Sequence, residues 1–403
     1  MLAARSNFVG RTVRSRAHQL TSGSRQQYAD SASSPLPSLA ILDDYLSISI
    51  PHFEHLPKSD ISISVFKSPL PQRTAQQRAA LVEKLKPFQA ISTMRERTPF
   101  PASLLRELPN LELLLCTGTQ FETFDLDEAK KLGIAVVAAP GRGRSDRNNS
   151  TADKKNSPGQ DIRKGGNHPT THHTLAMILA LARNIADGDA AIKSGGWQTS
   201  MAMGLPGKTI GVVGMGRLGA SVARASILAL GMKVVCWSAN LTQEKADEVA
   251  AALKLPTEDE HGDKTFRVVS KEELFKTADV ITLHYVLSER SRNLVSKKEL
   301  DMMKDTALLV NSSRGPLINE SDLLDAAESG RIRAIGLDTF EYEPLPADSP
   351  WRSGRWGKDG RSNVLLTPHM GYVEEGLMNN WYAETAENVE RWLAKEDVLH
   401  RLV

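Results

Sequence analysis

The stretch from Lys208 to Gly231, KTIGVVGMGRLGASVARASILALG, leaves this chain few folds to choose from. A strand-like run, TIGVV, enters Gly214, Gly216 and Gly219 in G-x-G-x-x-G spacing, and a helix-forming segment follows at once. Each glycine has its own work in such a turn. Gly214 permits the tight reversal, Gly216 lets backbone approach a pyrophosphate, and Gly219 lets helix pack on strand, with the helix N-terminus facing the anion. Bare glycine spacing is a weak signal. A strand before it, a helix after it and a second strand, KVVCWS, about twenty residues on supply the context of a dinucleotide site. Arg217 would add charge to the turn, and Leu218 sits inside it. Ser238 stands where an acid would accept the ribose 2′-hydroxyl. With no carboxylate there to repel a 2′-phosphate, NAD and NADP both remain open as cofactor.

The rest of the chain alternates in the same sense. SLAIL, ISISVF and LELLLC read as short strands, and TAQQRAALVEKLKP and PASLLREL as helices with 3.6-residue spacing, which predicts an α/β block with a parallel sheet. LDEAKKLGIAVVAAPG closes that block with a helix, a stop at Gly133 and another strand. Beyond THHTLAMILALARNI, a helix, come six strand-like runs: KTIGVVG, KVVCWS, FRVVS, DVITLHY, TALLVNSS and IRAIGLDTF. Six strands with helices between them describe a doubly wound sheet. ENVERWLA, a helix, ends the pattern. At 403 residues the chain exceeds what one core usually organises, so two domains are expected.

Two segments break the alternation. Residues 141–170 hold two hydrophobic residues, Ala152 and Ile162, against ten charged ones, too little to bury, and predict a disordered insertion. Its net charge of +4 (seven basic minus three acidic) has no aromatic beside it to stack a base, so no nucleic-acid partner is expected. Residues 1–35 form a basic extension with five arginines and no acid before Asp30, the pattern of a mitochondrial transit peptide. A plain basic tail on a cytoplasmic protein is the alternative. The whole chain carries a formal charge of +2, no bulk field for nucleic acid or an anionic membrane. Its longest purely apolar run, Leu175 to Ala182, is far too short to span a bilayer. Cys116 and Cys236 each end a strand-like run and offer neither a disulfide framework nor a metal pair.

One arginine stands out. In ALLVNSSRGPLINE, Arg314 sits where an apolar run breaks into a Ser/Gly/Pro turn, so it is either solvated or waiting for an anion. The segments LGIAVVAAPG, LPGKTIGVVGMGRLG, ADVITLHYVLSE, VNSSRGPLINESDLLDAAESGRI, GLDTFEYEPLP and LLTPHMGY resemble, in that order, the D-isomer-specific 2-hydroxyacid dehydrogenases. The resemblance implies a flavodoxin-like substrate domain, residues 36–171 plus a returning helix in 372–403, with a Rossmann-type NAD(P)-binding domain, 172–371, inserted into it. It also implies a cleft site between them and a homodimer.

By motif, the family's arginine, glutamate and histidine fall on Arg314, Glu343 and His369. The chemistry agrees. A 2-keto acid needs a cation for its carboxylate and carbonyl oxygen, and arginine's planar fork supplies it. Carbonyl reduction leaves an alkoxide that takes a proton, for which imidazole is suited, and a carboxylate on the other ring nitrogen fixes the tautomer. The same placement puts His284, Ser312, Ser313, Asp338 and Gly371 beside the cofactor, Asp338 facing the nicotinamide carboxamide. Substrate carboxylate is expected on the backbone amides of Gly118 and Thr119, with Arg95 as a second anion contact. His172 and His173 are adjacent, so they point apart on a helix, and no carboxylate or cysteine lies at ligand spacing; no metal is expected. The expected function is reduction of a small 2-keto acid of the glyoxylate or hydroxypyruvate type. An NAD(H)-sensing, corepressor-like protein of the same fold is the rival.

Overall fold

The computed structural model describes residues 36–146 and 168–403. The basic extension, with the targeting expectation that rests on it, and residues 147–167 of the insertion lie outside the described residues.

The described strands pair in parallel into two sheets. The first contains β1 (Ser38–Ile41), β2 (Ser62–Val65), β3 (Ala90–Thr93), β4 (Leu113–Thr117) and β5 (Ala135–Ala139), in the order β2-β1-β3-β4-β5. That is the flavodoxin order. The second contains β6 (Thr209–Val213), β7 (Lys233–Trp237), β8 (Phe266–Val268), β9 (Val280–Leu283), β10 (Leu308–Asn311), β11 (Ala334–Leu337) and β12 (Asn363–Leu366). Its order, β12-β11-β10-β9-β6-β7-β8, is the Rossmann arrangement with one strand added at the far edge. The fold is thus α/β with two domains.

Both sheets are buried on both faces, which is why their strands are nearly continuous apolar runs rather than alternating ones. The interdomain helix Pro169–Ala182 covers one face of the second sheet with Met177, Ile178 and Leu181. The closing helix Glu375–Leu393 covers one face of the first with Trp381, Tyr382 and Val389. Trp381 and Tyr382 are 4% and 1% exposed, and each such ring contributes roughly 3 kcal/mol by leaving water. The last helix therefore belongs to the first sheet although the second sheet precedes it in sequence.

Sequence patterning missed two strands and shortened one helix. β3 is four residues between two helical patterns, and β12 is a four-residue, half-buried edge strand, so neither gives a period to read. The closing helix starts twelve residues before ENVERWLA, capped by Glu374, whose carboxylate accepts from the amides of Gly376 and Leu377 at 3.0 and 2.8 Å.

The start of the insertion is not loose. Glu384, Glu387 and Glu390 follow one another along one face of the closing helix and grip residues 141–145. Glu384 accepts from the amides of Gly141 (2.8 Å) and Arg142, and Glu387 from the amide of Ser145 (2.7 Å) and its hydroxyl. Glu390 takes both ends of the Arg144 guanidinium at 2.5 Å. Burial pushes the Glu384 carboxyl up to about 7 despite the amides it accepts. The expectation of a disordered segment from residue 141 is corrected here: polar groups anchor it where apolar ones are missing.

Candidate active site

The glycine turn leaves β6 directly. Gly214 has φ +99°, and a Cβ there would lie 2.5 Å from the His284 carbonyl oxygen. A Cβ on Gly219 would lie 2.0 Å from the Gly214 carbonyl oxygen. A Cβ on Gly216 would meet nothing within 4 Å, and Gly216 is the N-cap of the helix Arg217–Leu230. The outer glycines are thus required by close packing, whereas the middle one presents open backbone at a helix N-terminus, where a pyrophosphate fits. Arg217 is exposed beside it and Leu218 half-buried. The Ser238 hydroxyl accepts from the Met215 amide at 3.1 Å, tying the end of β7 to the turn, and supplies no charge. His284 is held by Thr282 at 3.0 Å, and burial pushes its imidazole down to about 4, so it is neutral at pH 7.

Arg314 is carried by the turn after β10. Asn311 closes that turn, donating to the Arg314 carbonyl at 2.8 Å and accepting from the Ser313 amide at 3.1 Å. Ser312 bonds to Thr174 at 2.6 Å and Ser313 donates to the Tyr285 carbonyl at 2.8 Å. Both serines were expected beside the cofactor; their hydroxyls are spent holding the turn. The Arg314 guanidinium donates to the Ser313 carbonyl at 2.8 Å and pairs with Glu96 from the other domain.

His369 sits in the left-handed region, φ +54°, after β12. Its amide donates to the Asp338 carbonyl at 2.8 Å, and the next two amides, Met370 and Gly371, donate to the Asp338 carboxylate at 2.7 and 2.9 Å. Thr367 and His173 complete that carboxylate's shell at 2.6 and 3.1 Å. Burial alone would raise the Asp338 carboxyl, but the bonds from His173, Thr367 and Met370 hold it below the usual carboxylate range. Asp338, expected to face the nicotinamide, is 0% exposed and fixes the His369 turn. Gly371 belongs to the same turn, its missing Cβ leaving room for Asp338 and Thr170. Glu343 holds His369 Nδ1 at 2.6 Å with one oxygen and accepts from the Phe340 amide at 3.0 Å with the other. With Nδ1 committed to a carboxylate, Nε2 is the nitrogen left for proton exchange.

The substrate domain supplies the facing wall. Arg95, φ +53°, lies 4.4 Å from the Tyr372 ring centroid, and its Nε is 3.4 Å from Glu96. Arg97 lies over Tyr45 and Tyr372 at 5.2 and 5.6 Å. Glu96 is therefore held between two guanidiniums. Burial raises its carboxyl, but Arg95, then Arg314, and more weakly His369, bring it below the usual range. Arg314 and Arg95 share Glu96, Arg95 covers the Tyr372 ring, and that ring lies 5.3 Å from the His369 ring, which brings Arg314 and His369 into one neighbourhood. Gly118 and Thr119, expected to meet the substrate carboxylate, follow β4 on the same wall. Gly118 donates to the Ala139 carbonyl at 2.8 Å in a bridge to β5, and Thr119 to the exposed Gln120 side chain at 3.3 Å. His172 is exposed while His173 reaches Asp338, and among the described residues no three His, Cys, Asp or Glu side chains are grouped to hold a metal.

Sequence reasoning passed over Glu96, Thr174 and Tyr372, and considered His173 only as a metal ligand. The available signal for Glu96 was the RER triplet one residue beyond β3, charges just past a strand end. His173 and Thr174 gave none, since their partners lie 165 and 138 residues away.

Known proteins resemble this chain in sequence and in fold. Residues 175–371 match the family described as D-isomer specific 2-hydroxyacid dehydrogenase, NAD binding domain. The chain is 30% identical over 318 residues to a glyoxylate reductase of Thermococcus litoralis, covering 77% of this chain and 80% of that one. It is 29% identical over 300 residues to a D-3-phosphoglycerate dehydrogenase of Archaeoglobus fulgidus, covering 74% of this chain and 48% of that one. The chain spans about half the length of such phosphoglycerate dehydrogenases. A crystal structure of a phosphoglycerate oxidoreductase from Vibrio cholerae superposes with a TM-score of 0.70 at 27% identity, over 89% of this chain and 100% of that one. With 30% identity across four fifths of a relative, a matching fold and a matching coenzyme-domain family, the chain belongs to the D-isomer-specific 2-hydroxyacid dehydrogenase family.

Proposed function

We propose that this protein is an NAD(P)-dependent oxidoreductase interconverting a small 2-keto acid and its D-2-hydroxy acid. The observation that carries this is the His369–Glu343 pair, 2.6 Å apart, set in the same cleft as an arginine fixed from two sides. When bound, the nicotinamide supplies the hydride for reduction and accepts it in the reverse direction. Arg314 orients the substrate: its remaining N–H groups grip a carboxylate and polarise the neighbouring carbonyl oxygen. His369 gives the proton that the reduced oxygen needs from Nε2, and in oxidation the neutral imidazole takes it back. Glu343, fixed by the Phe340 amide, keeps the proton of the neutral ring on Nδ1.

Glyoxylate and hydroxypyruvate are the substrates this reading favours, and relatives carrying those names support it. Ser238 in place of an acid removes the charge that turns a 2′-phosphate away, so NADPH is admitted beside NADH. Assembly as a homodimer belongs to the same proposal; Ile192, Trp197 and Met201 leave apolar side chains exposed that a second copy would cover. The test is oxidation of NADH and NADPH by purified protein against glyoxylate, hydroxypyruvate, pyruvate and their longer analogues. Turnover with at least one is expected; none with any would overturn the proposal.

A further inference from the structure

The interdomain helix Pro169–Ala182 packs directly on β10 and β11, whose ends carry Ser312 and Asp338. Met177 and Leu181 lie so close to β11 that a Cβ on Gly336 would meet them at 3.2 and 2.9 Å. One turn earlier the same helix presents His173 and Thr174. His173 Nε2 stands 3.1 Å from Asp338, directly after β11, and 3.0 Å from the Thr367 hydroxyl. Thr174 stands 2.6 Å from Ser312, directly after β10.

We propose that His173 and Thr174 are positioning residues for the reaction, His173 setting His369 through Asp338 and Thr174 setting Arg314 through Ser312. The inference rests on the roles given above to Arg314 and His369.

The Thr174 hydroxyl lies 2.8 Å from the Thr170 carbonyl and 2.6 Å from the Ser312 hydroxyl, so when it donates to the carbonyl it accepts from Ser312. Thr174 is 0% exposed and Ser312 6%, so no water replaces that bond and the serine hydroxyl has one place to go. Ser312 is two residues from Arg314, and the carbonyl between them holds the guanidinium. On the other strand, Thr367 donates to the Asp338 carboxylate, so His173 Nε2 carries a proton and donates as well. That carboxylate in turn holds the amides of Met370 and Gly371, which keeps His369 in a left-handed conformation that a histidine leaves unless its surroundings over-determine it. One helix face thereby registers the proton donor and the anion grip against each other, although the two turns differ in sequence and strand.

Adjacent residues then have separable effects. Thr174→Val keeps the shape and removes the hydroxyl. It is expected to raise the KM for keto acid about tenfold with kcat within about threefold, since a loosened anion grip costs binding first. Thr174→Ser restores the value. His173→Asn keeps a polar side chain whose amide falls short of Asp338. It is expected to lower kcat about tenfold in both directions with the keto-acid KM within about threefold, and His173→Gln, which reaches, recovers most of it. Ring resonances of His369, followed by NMR without substrate, are expected to shift in His173→Asn and not in Thr174→Val. A purely structural role would lower thermal stability and change KM and kcat together, without rescue, and that result would overturn the proposal, as would unmoved His369 resonances in His173→Asn. Failure of the underlying reading looks different: Arg314→Lys and His369→Asn would retain activity. If those two are inactive and the split at 173 and 174 is missing, only the positioning role falls.

Discussion

On the coenzyme side of the cleft, the turns carrying Arg314 and His369 are held by backbone amides and neutral hydroxyls gathered on Asn311, Ser312 and Asp338. On the substrate side, Arg95, Glu96 and Arg97 are held by charge and by the faces of Tyr45 and Tyr372. The difference has consequences for what each wall tolerates. A wall of directed, short-range bonds keeps its shape when a distant charge changes but fails when a Cβ or a hydroxyl is misplaced. A wall of buried charge tolerates small shape changes but fails when a counter-charge is lost. Arg314 belongs to both, and through its pairing with Glu96 it joins them.

The largest effect should therefore come from Arg314. Arg314→Lys keeps the charge and loses the planar fork, so kcat/KM for keto acid should fall about 10³-fold while dinucleotide affinity, read by fluorescence titration, stays within a factor of two or so. A parallel loss of dinucleotide binding would mean that the two walls are not separable at this residue.

Next comes the counter-charge. Glu96→Gln leaves the buried Arg95 guanidinium without its carboxylate and should cost about 3 kcal/mol in urea unfolding, the lower end for breaking a buried pair. Because the cost is an uncompensated charge, adding Arg95→Met should return part of it. A double variant less stable than Glu96→Gln would show that the wall is held by packing of the arginine stem and not by charge.

Glycine substitutions sharpen the same contrast on the other side. At Gly219 a methyl group would stand 2.0 Å from a carbonyl oxygen, so Gly219→Ala should lower stability by about 2–3 kcal/mol and abolish dinucleotide binding. At Gly216 the methyl group meets no protein atom, so Gly216→Ala should leave stability unchanged and weaken only the dinucleotide. Equal loss of stability at both positions would refute the assignment of Gly216 as the open face.

How much of this was legible follows the same division. The coenzyme turn was readable because its constraints are local: strand, spaced glycines and helix fall within one short stretch. Arg314, Glu343 and His369 were readable as motifs, and the fold brings Glu343 to His369 and Arg314 to the same neighbourhood through Glu96. Which partners the amides take was not readable, because it depends on sheet closure: the Gly118 N–H goes to β5. The surroundings of Asp338 were not readable either, because a sequence shows an acid at a strand end but not the four donors that enclose it. The roles of Glu384, Glu387 and Glu390 were not readable, since nothing nearby in sequence shows that residues 141–145, more than 240 positions earlier, would fold onto them.

Those glutamates carry the smallest prediction, in which a backbone-held carboxylate tests whether charge or amides matter more outside the cleft. The Glu384 carboxyl is raised from 4.5 to about 7, first by burial, while the Gly141 and Arg142 amides oppose the rise. Between those two pH values the folded protein holds a proton that the unfolded chain has lost. Stability attributable to this group therefore falls as pH rises through that window and is level above it. Glu384→Gln cannot titrate, keeps one acceptor oxygen and gives up the second. Its stability relative to wild type should accordingly climb with pH, by roughly 2 kcal/mol between about pH 5 and 6.5, since each pH unit inside the window is worth about 1.4 kcal/mol. Taking the difference between variant and wild type at each pH removes every other titrating group. Denaturant unfolding at four or five pH values would measure it. Parallel curves would mean that the amides of residues 141–142 hold the carboxylate ionised throughout, so that the loop is fastened by charge-assisted bonds and burial at the helix face is the weaker influence.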